Sequence, residues 1–216
     1  FGQPQIRDAT VIRVIKRAFD IVVSSLLLVL LAPAFAVVAF AIKLETYGPV
    51  FFKQMISLSD NDEPFELYKF RTMVHKAEDL KELLLALNEA DGVLFKIKND
   101  PRLTKFGRFM RRYSIDELPQ LLNVLKGDMS LVGPRPLPVK DIQQMHKRDR
   151  VSDDLRRRGN AKPGMTGLWQ ISGRSDLGFR EMVMLDVYYI ENQRLLFDLE
   201  ILLRTIPVVV FAKGAY

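Results

Sequence analysis

The run from Ile21 to Ile42 is apolar apart from Ser24 and Ser25. As a helix it measures about 33 Å, enough to cross a hydrocarbon core of about 30 Å. It is too long for a secretory signal, and no small-residue cleavage site follows it. Two arrangements fit. In one the segment is a single transmembrane helix in which Pro33 is a tolerated kink. In the other Pro33 breaks the helix, because it cannot donate to the Val29 carbonyl and its ring crowds that turn. The chain then dips into one leaflet and returns to the side it left. Arg13, Lys16 and Arg17 precede the run, and Lys43, Lys53 and Lys69 follow it. Basic residues favour the cytoplasmic side, so a spanning helix would place one of these sets on the wrong face.

With 216 residues the chain holds one domain, or one domain plus an anchor. The net charge of +6 points to an anionic partner: nucleic acid, anionic lipid or a phosphorylated substrate. The absence of cysteine excludes disulfides, thiolate zinc sites and thiol catalysis. His75 and His146 are the only histidines, and neither lies in a metal-ligand spacing. The chain begins at Phe1 rather than methionine, which suits the C-terminal part of a longer protein.

Beyond the apolar run, Gly48–Lys53 and Pro64–Phe70 flank the polar turn Ser59-Asp60-Asn61-Asp62 and read as a β-hairpin. Lys69 on its second strand reads first as a solvated lysine. An amphipathic helix is expected from His75 to Ala90, with Leu80, Leu83, Leu84 and Leu87 on its packed face and Asp91-Gly92 as its end. From Thr104 to Tyr113, Phe106, Phe109, Met110 and Tyr113 share one face, and Lys105, Arg108, Arg111 and Arg112 occupy the rest. That pattern suits either an anionic bilayer surface or a core-packed helix, and the nearby apolar run favours the bilayer. Lys147 to Arg158 reads as a solvated charged helix without a recognisable nucleic-acid module. Ile201 to Ala212 is apolar but too short to span, which leaves core packing or interfacial docking.

The segment from Asp116 to Pro136 carries the chemistry. Ser114-Ile115-Asp116-Glu117 matches a capping box, which would give both acids a purely structural role. Placing Asp116 at the N-cap instead puts Pro119 among the positions whose N–H is unpaired anyway, and that register is preferred. The helix then packs Leu118, Leu121, Leu122 and Leu125 inward and ends at Lys126-Gly127. A carboxylate at a helix N-terminus is stabilised by the dipole, and it can cap the helix, hold a metal or attack an electrophile. Glu117 beside it could hold Mg²⁺, which takes a few carboxylates plus substrate phosphates. Arg135, fixed between Pro134 and Pro136, is a preorganised guanidinium suited to phosphate, or else part of a rigid surface turn. Gly164–Gly167 and Ser172-Gly173-Arg174 are glycine turns that could cradle phosphates. No Walker loop or dinucleotide fingerprint is present.

Taken together, Lys16-Arg17-Ala-Phe19-Asp20, Tyr68–Met73, Asp116–Pro136, Lys162–Gly167 and Leu185–Tyr189 resemble the bacterial sugar transferases, the monotopic polyprenyl-phosphate phosphoglycosyl transferases. The resemblance runs from about Lys16 to Tyr216 and keeps the motifs in order. It implies transfer of a sugar 1-phosphate from a nucleotide diphosphate sugar to polyprenyl phosphate, through a covalent phosphosugar–enzyme intermediate. Asp116 would be the nucleophile, with UMP leaving, and Glu117, with Asp116, would bind Mg²⁺. Lys69, Arg111, Arg135, Arg174 and Asp186 match positions tied to activity or substrate phosphates.

The implied fold is α+β and predominantly helical, with an N-terminal re-entrant membrane helix, interfacial amphipathic helices and a small β-hairpin. The implied division is an extension or linker (1–15), the re-entrant helix (16–45) and a catalytic domain on the cytoplasmic face of the inner membrane (46–216). Two departures stand out. Ala32-Pro33 replaces the usual Ser-Pro at the break, and Met55-Ile56-Ser57 replaces a basic-Val-Gly sequence in the hairpin. The stretch from Leu168 to Arg180 looks like that of large members, which often use UDP-glucose or UDP-galactose. The resemblance implies no nucleic-acid partner and leaves a homodimer open. A membrane-tethered interaction protein on the same fold is the alternative.

Overall fold

A computed structural model of the chain describes residues 6–59, 62–89, 97, 99–147, 153–212 and 214, the side chains from Val11 onward. The apolar run lies within one long helix, α1 (Ile6–Glu45), which continues through Pro33 without interruption. It is long and apolar enough by itself to cross a membrane. One stripe of α1 is packed: Lys16, Arg17, Asp20, Ser24, Leu27, Leu28, Leu31, Phe35, Val38 and Ile42 recur every three or four residues. The opposite face, including Val22, Leu26, Val29, Val37 and Phe40, is exposed and apolar.

The hairpin forms as expected. Strand β1 (Phe51–Ser57) pairs antiparallel with β2 (Phe65–Phe70), placing Phe52 opposite Lys69. The polar turn falls partly outside the described residues. The helix expected from His75 to Ala90 is instead two 3₁₀ turns, Ala77–Leu80 and Glu82–Leu87, and its end at Asp91-Gly92 lies outside the described residues. Leu80, Leu83 and Leu87 are exposed rather than packed, so the periodic leucines do not form a core face.

Helix α2 (Lys105–Arg112) is capped by the Thr104 hydroxyl, which accepts from the Gly107 N–H at 2.8 Å. Met110 is its buried anchor, while Phe109 is half exposed and stacks against Phe106. Gly107 has to be glycine: a Cβ there would lie 1.9 Å from the Thr72 carbonyl oxygen.

The next turn corrects the expected register. Ser114 adopts left-handed φ (54°), Ile115–Glu117 is a 3₁₀ turn, and helix α3 (Gln120–Lys126) starts only after Pro119. Asp116 therefore sits before the α-helix and not at its N-cap, and the Ser114 side chain makes no capping bond. Leu121 packs inward as expected, but Leu122 is exposed, and Asn123 and Val124 take the buried positions. Gly127 ends the helix with left-handed φ (96°).

Strand β3 (Ser130–Val132) pairs parallel with β5 (Gly164–Thr166), and the short β4 (Leu137–Pro138) joins the hairpin beside β1. Of the solvated helix expected over Lys147–Arg158, residues 148–152 lie outside the described ones; α4 (Val139–Lys147) ends at its start, α5 (Asp153–Arg157) falls within it, and Arg158 is fully buried rather than solvated. Helices α6 (Leu168–Ser172), α7 (Phe179–Glu191) and α8 (Leu195–Val210) complete the fold. The result is predominantly helical α+β, as the sequence indicated. On α8 (Leu195–Val210) core packing is realised on one face. Ile201 is fully buried, while Leu196, Leu199, Leu203, Ile206 and Val210 form an exposed apolar stripe.

Two sets of polar bonds bind α1 to this body at both flanks of its apolar run. Toward the N-terminus, Arg17 donates to the Val124 and Leu125 carbonyls, capping the C-terminal end of α3. Lys16 pairs with Asp198 at 2.5 Å and also donates to the Val132 carbonyl at 3.0 Å, and Asp20 accepts from the Leu131 N–H. Toward the C-terminus, Glu45 accepts from the Phe106 N–H at the start of α2. There too the Arg71 guanidinium donates to the Thr46 and Tyr47 carbonyls just past α1.

Candidate active site

The hairpin and the 3₁₀ turn bring the first charged pair together. Lys69 on β2 donates to Glu117 Oε1 at 2.8 Å, with each side chain about one-fifth exposed. The solvated reading of Lys69 is thereby replaced by an ion pair. The strand and helix behind the pair are stapled by Asn123. Its side-chain oxygen accepts from the Tyr68 N–H at 3.0 Å, and its amide nitrogen donates to the Glu66 carbonyl at 2.6 Å.

Asp116 and Glu117 differ electrostatically. Burial raises the Asp116 carboxyl above its ordinary value, and the negative charge of Glu117 adds to that; Lys69 and Arg111 act in the opposite direction. Burial also opposes ionisation of Glu117, but Lys69, Arg135 and Arg174 outweigh it and hold the carboxyl down at about 2. Glu117 is thus a fixed anion, and Asp116 is a buried carboxylate whose charge is costly. Neighbouring carboxyls pushed in opposite directions are a sign of divided chemical roles.

Three arginines surround the pair. Arg111 on α2 donates from Nε to the Thr72 hydroxyl at 3.0 Å. Arg174, itself in left-handed φ (50°), donates from Nη2 to Ser114 Oγ at 2.6 Å. Its Nη1 is buried and has no hydrogen-bond partner among the described residues, a cationic donor left for an anionic ligand. The two strained residues, Ser114 and Arg174, hold each other beside the acid pair. Arg135 lies with its guanidinium over the Trp169 ring, 4.6 Å from the centroid. Its flanking prolines fix the backbone, and Gly164 N–H bonds to the Pro134 carbonyl at 2.9 Å.

Asp186 is placed differently from the other expected site residues. It is buried under the Pro-Arg-Pro segment, where its Oδ2 accepts from the Arg135 N–H at 3.2 Å and from Arg158 Nε and Nη2 at 3.0 and 2.8 Å. Arg158 Nη2 also donates to the Arg135 carbonyl. Asp186 and Arg158 therefore clamp the Arg135 backbone from below. The glycine turns also have a local reason. A Cβ at Gly164 would lie 2.0 Å from the Gly133 nitrogen, and one at Gly167 would lie 2.3 Å from the Gly133 carbonyl oxygen. These glycines permit close approach of two backbones, and Gly164 also lines the pocket shared by Lys69, Glu117 and Arg135.

Lys69, Glu117 and Arg135 line an open pocket of about 260 Å³, together with Leu67, Gln120, Met165 and Gln170. Among the described residues no cluster of three or more His, Asp or Glu could hold a metal. The donor set here, two adjacent carboxylates beside cationic phosphate binders, fits Mg²⁺ that takes most of its ligands from substrate phosphates and water.

The family described as bacterial sugar transferase matches residues 11–212. The chain belongs to that family. It is 43% identical over 209 residues to the undecaprenyl-phosphate galactose phosphotransferase of Salmonella typhimurium, covering 94% of this chain and 42% of that protein. It is 40% identical over 205 residues to exopolysaccharide production protein ExoY of Rhizobium meliloti, covering 93% of this chain and 88% of that protein. Against the undecaprenyl-phosphate glucose phosphotransferase of Komagataeibacter xylinus it is 40% identical over 206 residues, 93% of this chain and 37% of that protein. The chain thus spans less than half the length of several of these relatives. In this sugar transferase chain Arg158, Ser114, Gln120 and Gln170 escaped sequence reasoning. Arg158 is disguised by a charge-dense run, and the two glutamines carry no charge or motif signal of their own.

Proposed function

We propose that this chain transfers a sugar 1-phosphate from a UDP-sugar, glucose or galactose, to polyprenyl phosphate, releasing UMP through a covalent aspartyl-phosphosugar intermediate. The observation that carries the reading is the acid pair with opposed electrostatics, set among Lys69, Arg111, Arg135 and Arg174. The printed names of the relatives describe this class of transfer and its place in exopolysaccharide production.

In the first step an Asp116 carboxylate oxygen forms a bond to the sugar-bearing phosphorus as the bond to the UMP oxygen breaks. Arg135 and Arg174 hold the phosphate oxygens, and Lys69 keeps Glu117 oriented. Mg²⁺, held by Glu117 with Asp116, would supply charge neutralisation of the diphosphate when bound. In the second step an oxygen of polyprenyl phosphate attacks the same phosphorus and frees the Asp116 carboxylate.

The lipid substrate places the reaction at a membrane, and we read the chain as monotopic, on the cytoplasmic face of the inner membrane, with α1 re-entrant. The break expected at Pro33 is absent, since α1 runs through it unbroken, so re-entrant here means only that both ends of α1 return to one face. Support comes from both flanks of α1 bonding to one globular body, which a bilayer between them would pull apart. The exposed apolar faces of α1 and α8 suit contact with lipid.

The experiment is UMP release from UDP-glucose and UDP-galactose with Mg²⁺ in detergent, with and without undecaprenyl phosphate. The expected result is about one UMP per enzyme without the lipid, a phosphosugar adduct on Asp116 by mass spectrometry, and turnover with the lipid. Lipid-dependent turnover that survives Asp116→Asn would remove the covalent mechanism.

A further inference from the structure

The pocket beside the acid pair is lined by two kinds of residue. Lys69, Glu117 and Arg135 are charged, and Gln120, Gln170, Leu67 and Met165 are neutral. The first suits a diphosphate. The second offers neutral amides and apolar surface, which suits an uncharged hydroxylated group.

Gln170 stands out among the neutral ones. It is 8% exposed, and its Oε1 is buried without a hydrogen-bond partner among the described residues. Buried amide oxygens are rarely left this way unless a ligand or water satisfies them. The backbone around it is fixed, since the Gln170 N–H donates to the Gly167 carbonyl at 3.1 Å. Gly167 lets the oxygen pack this close to the backbone, because a Cβ there would lie 3.0 Å from Oε1. The preceding residue, Trp169, lies under the Arg135 guanidinium, so the amide and the phosphate-binding arginine are held by consecutive residues of α6.

We infer that Gln170 is a substrate-binding residue whose side-chain oxygen accepts a hydrogen bond from a hydroxyl of the donor's sugar. The inference rests on the UDP-sugar reading above. A nucleotide sugar offers three kinds of neutral donor: the sugar hydroxyls and, beyond the second phosphate, the ribose hydroxyls and the uracil imide N–H. The sugar is favoured because it is attached directly to the phosphorus that Asp116 attacks, and Glu117, the next residue in the chain, lines the same pocket. The base is separated from that phosphorus by a ribose and a second phosphate.

Calorimetric titration of the full chain in detergent, with Asp116→Asn in every protein compared so that no adduct forms, against UDP-glucose, UDP-galactose and UMP tests it. Gln170→Ala should weaken binding of the preferred UDP-sugar about tenfold, the effect of one lost hydrogen bond to a buried acceptor. UMP, which has no sugar, should bind unchanged. Gln170→Met, which keeps the volume and removes the amide, should behave the same way and guards against a packing effect of the alanine. Equal weakening of UDP-sugar and UMP would put the contact at the ribose or the base and overturn the inference. Unchanged binding of all three ligands in both variants would also overturn it. The transferase reading fails separately, if the wild-type chain binds UDP-sugar yet releases no UMP from it; the titrations then still decide the role of Gln170. A wild-type chain that binds no UDP-sugar overturns both.

Discussion

Asp116 shows most directly the tension between stability and chemistry. Its carboxyl is raised by burial and by Glu117, so the folded protein takes up that proton more readily than the unfolded chain does. The charge therefore costs stability as pH rises through the folded value. Asp116→Asn should lower UMP release by about 10³-fold or more and raise the melting temperature at neutral pH. A melting temperature that falls would show that the carboxylate is holding the turn together. Asp100 has the opposite sign. Burial pushes its carboxyl up, but bonds from Arg102 at 2.6–3.2 Å bring it below the ordinary 3.8. Its stabilisation is present above that value and is lost as pH falls through the depressed one. Asp100→Asn should cost about 3 kcal/mol at neutral pH by taking the carboxylate charge away from the buried Arg102 guanidinium. Urea unfolding at pH 7 and pH 3 should show the gap closing at the acidic end.

At the scale of elements, the short helices depend on cations placed by other parts of the chain. The C-terminal carbonyls of α3 accept from Arg17, and the Gly127 carbonyl just past it accepts from Lys162 at 2.7 Å. A seven-residue helix is marginal without such caps. Arg17→Ala should destabilise the protein by about 2 kcal/mol, after discounting for partial exposure, read by urea unfolding. A loss within 0.5 kcal/mol would mean that water replaces the guanidinium at no cost. The same dependence explains two misread elements. The leucines between Leu80 and Leu87 have helical spacing, yet no neighbour covers them, and the segment settles into 3₁₀ turns. At Ser114-Ile115-Asp116-Glu117 the capping-box pattern is present, but Ser114 takes left-handed φ and its hydroxyl accepts from Arg174, sixty residues away. Local pattern lost there to a distant cation.

For the whole molecule the question is how α1 meets the bilayer. The packed stripe of α1 runs from Lys16 to Ile42, about 39 Å of helix, and both its flanks carry bonds to the same body. Both flanks should then face one side of the membrane. The chain has no cysteine, so Arg13→Cys and Lys43→Cys are clean single labels. In inside-out vesicles a membrane-impermeant maleimide should modify both to the same extent. Modification of one from each face would establish a spanning helix and require the body to separate from one end of α1.

The sequence alone determined the apolar run, the hairpin, the acid pair and the proline-fixed arginine, because each rests on residues close in the chain whose spacing has direct geometric meaning. The family resemblance supplied Lys69, Arg174 and Asp186 as residues of one site. Only the tertiary structure decided what each of them does there. It paired Lys69 with Glu117, held Arg174 against Ser114, and buried Asp186 with Arg158 beneath the Arg135 backbone. It also pushed the two neighbouring carboxyls in opposite directions and left the Gln170 oxygen unpaired. Those outcomes depend on burial and on charges that meet across as many as sixty residues of chain. Two neighbouring buried carboxyls look alike until the fold sets cations around one of them.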